Sequence, residues 1–177
     1  MWVFGYGSLL WNPGFTPSET VTGVLRDYHR SFCMLSIHHR GTEGDPGLVL
    51  ALDAQDGAQC TGVAFKVATG EEATVLQYLR ERELISSAYV EHHVTLALRD
   101  GRHVDALAYV IDPDHVQYCH YDLEIQAQMI ARAVGGRGPN TEYLFNTAAH
   151  LAQLDIRDAD MEWLVTRVQA LATAQQP

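Results

Sequence analysis

The sequence predicts an α+β fold, a small mixed β-barrel with flanking helices, as one domain spanning residues 1–177. Three observations carry this prediction. Short stretches rich in β-branched and aromatic residues fill most of the chain up to Ile111, and such residues suit a pleated, half-buried surface. One helical stripe interrupts them near Val75–Leu79, and the apolar period turns helical again from Asp122 onward. The order of strands, one inserted helix, a hairpin and then helices is not the alternation that builds parallel βαβ sheets. Six or seven short strands suffice to close a small barrel. A chain of 177 residues with 47% apolar and 19% charged residues is long and apolar enough for one full core.

The first strand, Trp2-Val3-Phe4, runs into Gly5-Tyr6-Gly7-Ser8-Leu9-Leu10, where glycine permits bare backbone. Successive N–H groups in such a turn can form an anion-sized concavity. Asn12-Pro13-Gly14 closes the segment as a turn. Thr20 to Ile37 reads as two strands joined through Arg26–Arg30, and His38–Gly47 as a loop. Leu48–Leu52 and Cys60–Val67 read as strands separated by a turn over Asp53–Gly57. Thr69 offers a helix cap, and Glu71-Glu72 suit a helix N-terminus. The stripe Val75, Leu76, Leu79 continues to Arg82 and Glu83, whereas Glu81 points elsewhere. Tyr89–Leu98 and His103–Ile111 flank the turn Arg99–Arg102 as a hairpin. Leu123, Ile125, Ile130, Ala131 and Val134 predict a helix that Gly135–Asn140 breaks. A second helix is expected from Thr141 to about Leu154, and a third from Asp158 to Ala172 with Met161, Leu164, Val165 and Val168 inward. Gln175–Pro177 reads as a frayed tail.

The formal net charge is −10, from 12 basic and 22 acidic residues. Nucleic acid and anionic membranes demand a basic footprint, so neither is an expected partner. A small anionic ligand is not excluded, because a single loop can be locally positive. Cys33, Cys60 and Cys119 are odd in number and widely spaced, which is neither a disulfide framework nor a zinc pattern. The chain shows no signal-peptide pattern and no apolar run of the ~18 residues that a membrane span requires. The expectation is a reduced, cytoplasmic protein.

Glu83 is the leading catalytic candidate. A helix-terminal acid ordinarily forms a solvated pair, here with Arg80 or Arg82, but its helical phase sets Glu83 on the packing stripe. A carboxylate there must be paired, wet or functional. The adjacent histidines His38-His39 and His92-His93 point to opposite faces if they lie in strands. His115, Cys119, His120 and Glu124 follow no recognised ligand spacing, so no metal is expected. The cysteines read as inert buried thiols rather than nucleophiles. Gly135–Asn140 lacks the Lys-Ser/Thr ending of a phosphate loop. Tyr143 and Asn140 stand at a helix start, a place suited to a carboxylate.

Gly5-Tyr6-Gly7-Ser8-Leu9, extended from Trp2 to Pro13, resembles the glycine loop of the ChaC-type γ-glutamylcyclotransferases. The resemblance continues through His39-Arg40-Gly41-Thr42, Pro46–Leu52, Arg82-Glu83 with Tyr89, and Gly138-Pro139-Asn140 with Tyr143-Leu144, Asn146 and His150-Leu151. It implies a γ-glutamylcyclotransferase-like fold, no cofactor, and Glu83 as the catalytic carboxylate, with Glu81 as the alternative register. It further implies that Gly5, Tyr6, Gly7, Ser8, Leu9 and Leu10 bind substrate. Arg40 and Tyr143 are added as substrate contacts, Arg40 as a partner for the peptide carboxylate. The segment Leu84–Ala88 departs from relatives with a shorter, glycine-bearing stretch.

The implied reaction is cleavage of glutathione to 5-oxoproline and cysteinylglycine. The γ-glutamyl α-amine attacks its own side-chain amide, and a carboxylate takes the amine proton and returns it to the leaving nitrogen. Two other readings remain open: a cyclotransferase for other γ-glutamyl amino acids or amines, and a non-catalytic γ-glutamyl-binding regulator.

Overall fold

The computed structural model describes residues 1–84 and 86–174. Ile85 and the expected frayed tail Gln175–Pro177 lie outside the described residues. The chain divides into two compact units, the first made of Met1–Ser31 and Ala51–Val116, the second of Phe32–Leu50 and the chain from Gln117 on.

The barrel strands are β1 (Trp2–Gly5), β2 (Glu19–Ser36), β3 (Gly47–Lys66), β4 (Tyr89–Leu98) and β5 (His103–Ile111), in the closed order β1-β3-β2-β4-β5. Most of them belong to the first unit; the end of β2 from Phe32 and the start of β3 up to Leu50 belong to the second. β1 is the keystone. It pairs antiparallel with β3, Trp2 opposite Lys66 and Gly5 opposite Val63, and parallel with β5, Val3 opposite Leu107. The expected β4–β5 hairpin is present, running from Tyr89 opposite Ile111 to Ala97 opposite His103.

Period-two alternation sorts the side chains. Phe4, Ala106, Ala108 and Val110 point into the barrel with Tyr6, Leu25, Leu52 and Leu96. Val3, Leu107 and Tyr109 point outward, where they meet Leu9, Val75 and Leu79. Val75 and Leu79 belong to α1 (Glu72–Glu83), which therefore lies on the outer face of β1 and β5. At the start of α1 the expected Thr69 cap is not used. Glu71 holds the cap position without a side-chain bond, and the Glu72 carboxylate accepts the Gly70 N–H at 2.7 Å.

Two other expectations in this region change. Arg26–Arg30 is not a break but the middle of a continuous β2, and Asp53–Gly57 is likewise part of β3. Asp27 takes a positive φ of 63° and its carboxylate accepts the Gly57 N–H at 2.9 Å. The residues around it are polar because the ribbon is exposed there, not because the chain turns.

The second unit carries α2 (Leu123–Arg132), the two-stranded β6 (Val134–Gly135) and β7 (Gly138–Pro139), α3 (Asn140–Gln153) and α4 (Ala159–Ala174). Asp122 caps α2 by accepting the Ile125 N–H at 2.9 Å. Val134, expected in that helix, is instead 56% exposed in β6. The helix stops at Arg132 because Ala133 turns extended, at φ −70° and ψ 136°. Met161, Leu164 and Val168 of α4 are buried as expected, while Val165 is only half-buried. Among the described residues no helix is long and apolar enough to cross a membrane.

Candidate active site

In the first unit, the glycine turn leaves β1 at Gly5 and makes one 3₁₀ turn over Ser8–Leu10. The Leu10 N–H closes on the Gly7 carbonyl at 2.9 Å and the Asn12 N–H on Ser8 at 3.1 Å. The N–H groups of Gly7, Ser8 and Leu9 meet no protein acceptor among the described residues. Gly7 and Leu9 are buried, so these donors are costly to leave open unless a ligand takes them. The side chains around them are anchors. The Tyr6 hydroxyl donates to the Tyr109 carbonyl at 2.8 Å inside the barrel. Leu9 packs against Val75 and Leu79 of α1. Arg30, buried at 6% exposure, donates from Nε to the Tyr6 carbonyl and from Nη2 to Thr61, each at 2.6 Å. A fixed cation thus stands directly behind the turn.

Glu83 ends α1, four residues beyond fully buried Leu79, as the stripe demanded. Its side chain is 15% exposed, and Oε1 is buried without a hydrogen bond. Arg82 Nε lies 2.9 Å from that oxygen, but the geometry is that of an ion pair without an aligned N–H. Burial pushes the carboxyl above its ordinary range, and the Arg82 charge opposes that push. The negative end of the helix acts in the same direction as burial. Glu81 differs in every respect: it is exposed and accepts from Gln77 Nε2 at 2.9 Å. Arg80 turns away to form a two-pronged pair with Glu91, at 2.8 and 2.6 Å. Glu91 also accepts from the Tyr109 hydroxyl at 3.5 Å, and burial pushes that phenol upward.

In the second unit, Arg40 donates from Nη1 to the Pro139 carbonyl at 3.1 Å and stands 3.5 Å from Glu142 Oε2. Its guanidinium carbon lies 5.9 Å from the centre of the Tyr143 ring. The Tyr143 hydroxyl accepts the Leu50 N–H at 3.3 Å, and its ring meets Phe32 edge-on. Asn140, fully buried, reads both backbone groups of Leu48, accepting its N–H at 2.7 Å and donating to its carbonyl at 2.8 Å. The glycine-rich stretch after α2 clamps the Arg40 loop: Gly136 and Arg137 donate their N–H groups to His38 and His39. Gly41 sits so close to Gly47 and Ser36 that a Cβ would collide with their backbone. The glycines here serve close packing, not phosphate.

A family model described as ChaC-like protein matches residues 1–171. The chain belongs to the ChaC-like family. It is 36% identical over 178 residues to the glutathione-specific γ-glutamylcyclotransferase of Escherichia coli, covering 100% of this chain and 76% of that protein. It is 36% identical over 177 residues to the human glutathione-specific γ-glutamylcyclotransferase 1, covering 98% of this chain and 79% of the relative. Its fold matches a crystal structure of a γ-glutamyl cyclotransferase specific to glutathione from yeast with a TM-score of 0.89. That match covers 100% of this chain and 99% of the yeast chain at 23% identity, and it speaks to the fold.

Sequence reasoning missed several residues of this ChaC-like chain. Arg82 stands on the same stripe as Glu83, so the signal was present, but its grip on the turn joins residues about 70 positions apart. Tyr109 follows the outward alternation of β5, beside α1. Arg30 sits in a polar stretch of β2 that offered nothing to separate it from a surface cation. The three cysteines are buried and form no disulfide, and burial pushes the Cys119 thiol up to about 11.

Proposed function

We propose that this ChaC-like chain is a glutathione-specific γ-glutamylcyclotransferase, releasing 5-oxoproline and cysteinylglycine, with Glu83 as its proton-transferring group. The observation that carries the reading is Glu83, a largely buried carboxylate whose Oε1 has no hydrogen-bond partner among the described residues. The glycine turn supplies the complementary half. Its open N–H groups, backed by the Arg30 charge, suit the glutamyl α-carboxylate.

The chemistry follows from these groups. The γ-glutamyl α-amine must lose a proton before its lone pair can attack, and a peptide α-amine titrates at about 7.7–8.0. The ionised Glu83 accepts that proton. Nitrogen attacks the γ-carbonyl carbon and closes a five-membered lactam. The amide C–N bond to cysteine breaks; the proton held on Glu83 and the second proton shed by the ring nitrogen both pass to the departing nitrogen, which leaves as an ammonium. Atoms balance without water or a second substrate. A raised carboxyl pKa brings the base closer to the amine it serves and makes the return of the proton easier. Intramolecular attack leaves much of the remaining work to positioning.

Arg40 Nε and Nη2 carry no protein partner among the described residues, which suits a second carboxylate, that of the glycyl end. The Tyr143 ring centre lies 5.9 Å from the Arg40 guanidinium carbon, and Tyr143 is assigned the same end of the substrate. The reading treats residues 1–177 as one catalytic domain acting without a cofactor. Three buried cysteines with no disulfide fit a cytoplasmic setting. The test is incubation of purified protein with glutathione and, in parallel, γ-glutamylalanine, with 5-oxoproline as the measured product. Release from glutathione alone is expected. Equal release from both would move the assignment to a broader γ-glutamyl specificity.

A further inference from the structure

Arg82 does not behave as a simple counter-ion to its neighbour. Its Nη1 donates to the Asn12 carbonyl at 2.6 Å and to the Tyr78 hydroxyl at 3.3 Å. Its Nη2 donates to Ser8 Oγ at 2.9 Å. Only Nε faces Glu83, 2.9 Å from Oε1, and its N–H is not aligned on that oxygen. One guanidinium, 22% exposed, therefore touches both ends of the Ser8–Asn12 stretch and the carboxylate. Tyr78, one helical turn earlier, adds a third hold. Its ring fills the space beside Gly14, which takes a positive φ of 80° and where any Cβ would collide with the ring. The glycine turn is thus strapped to the helix that carries Glu83 by two side chains of that helix.

We infer that Arg82 is a positioning residue for the cyclisation: it fixes the distance between the turn that holds the glutamyl group and the oxygen that moves the proton. The inference rests on the assignment of Glu83 and the glycine turn made above. It also explains the odd geometry at Nε. An aligned N–H would spend a lone pair of Oε1 on Arg82. An unaligned one supplies positive charge to the carboxylate without a hydrogen bond. The charge favours the ionised form of Glu83, while burial acts the other way and raises its pKa. The other titratable neighbour that senses Glu83 among the described residues is Tyr109 of β5. Glu91 of β4 lies beyond its hydroxyl and is already committed to Arg80.

Two variants separate the tether from the charge. Arg82→Lys keeps a cation but loses the fork that spans Ser8 and Asn12. Arg82→Gln loses both. For Arg82→Lys, KM for glutathione should rise and kcat fall by about 10–100-fold, because misplacement near 1 Å costs on that order. The acid limb of its kcat/KM profile should stay near that of the wild type. For Arg82→Gln the same losses should come with an acid limb moved to higher pH, since Glu83 then loses its one opposing charge. Rates are taken per folded molecule, with circular dichroism and thermal melts on each variant. Should Arg82→Gln not fold, Ser8→Ala removes the Nη2 contact alone and should raise KM without moving the limb. A purely structural role predicts lower melting temperatures with unchanged KM, kcat and pH profile in the folded fraction. That result in Arg82→Lys and Ser8→Ala overturns the inference while wild-type turnover of glutathione still stands. No 5-oxoproline from the wild type overturns the functional reading instead.

Discussion

Asn140→Ala offers a sharp test of how the second unit holds its loop. Asn140 is fully buried, and its amide pairs with both the N–H and the carbonyl of Leu48, itself fully buried, at 2.7 and 2.8 Å. Alanine removes both partners at once. Each backbone group left buried without a partner costs about 1–3 kcal/mol, so the pair costs about 2–6 kcal/mol. That is a large share of the ~5–15 kcal/mol that holds a typical domain together. The assay is urea unfolding followed by circular dichroism, with stability taken from the midpoint at constant slope. Asn140→Asp keeps the acceptor for the Leu48 N–H but sets an oxygen against the Leu48 carbonyl, so it should not restore stability. In the fraction that remains folded, KM for glutathione should be unchanged, because the side chain is spent on β3. A stability loss under about 1 kcal/mol with unchanged slope would refute the reasoning.

Glu83→Gln should stabilise the protein at pH 8. The folded-state carboxyl is raised by burial, so the ionised form is penalised and stability falls as pH climbs from the ordinary carboxylate range through the folded value. The advantage of glutamine should therefore vanish near pH 4, and thermal melts at the two pH values check this. Arg40→Met should raise KM for glutathione with a smaller effect on kcat, read from steady-state kinetics with 5-oxoproline as product. Tyr6→Phe loses one buried hydrogen bond to the Tyr109 carbonyl and should cost about 1 kcal/mol in urea while leaving a functional turn.

The barrel was legible where strand-forming residues run up to a turn. Trp2–Gly5 declared itself through β-formers ending in the glycine stretch, and the β4–β5 hairpin through the turn residues Arg99–Arg102. It was illegible where strand carries polar residues. Arg26–Arg30 and Asp53–Gly57 read as turns because strand exposed at Arg26-Asp27 and Ala54–Gly57 carries the same residues as a loop, and the Asp27–Gly57 bond that joins them is long-range. Val134 was assigned to a helix on apolarity alone. The chain leaves the helix there because Gly135 must lie against the backbone of the Arg40 loop, a contact between residues distant in sequence. At the site, helical phase was enough to put Glu83 on the buried stripe and Glu81 off it. Phase says nothing about hydrogen-bond alignment, so neither the buried Oε1 without a hydrogen bond nor the Arg82 strap could be foreseen.

The most direct measurement is the rate of 5-oxoproline release from glutathione by wild type, Glu83→Gln and Glu81→Gln, each normalised to folded protein. Loss of a positioned proton carrier predicts a fall of about 10²–10⁴-fold for Glu83→Gln, with Glu81→Gln close to the wild type. Wild-type turnover that survives in Glu83→Gln, or vanishes in Glu81→Gln, would contradict the role given to the buried carboxylate.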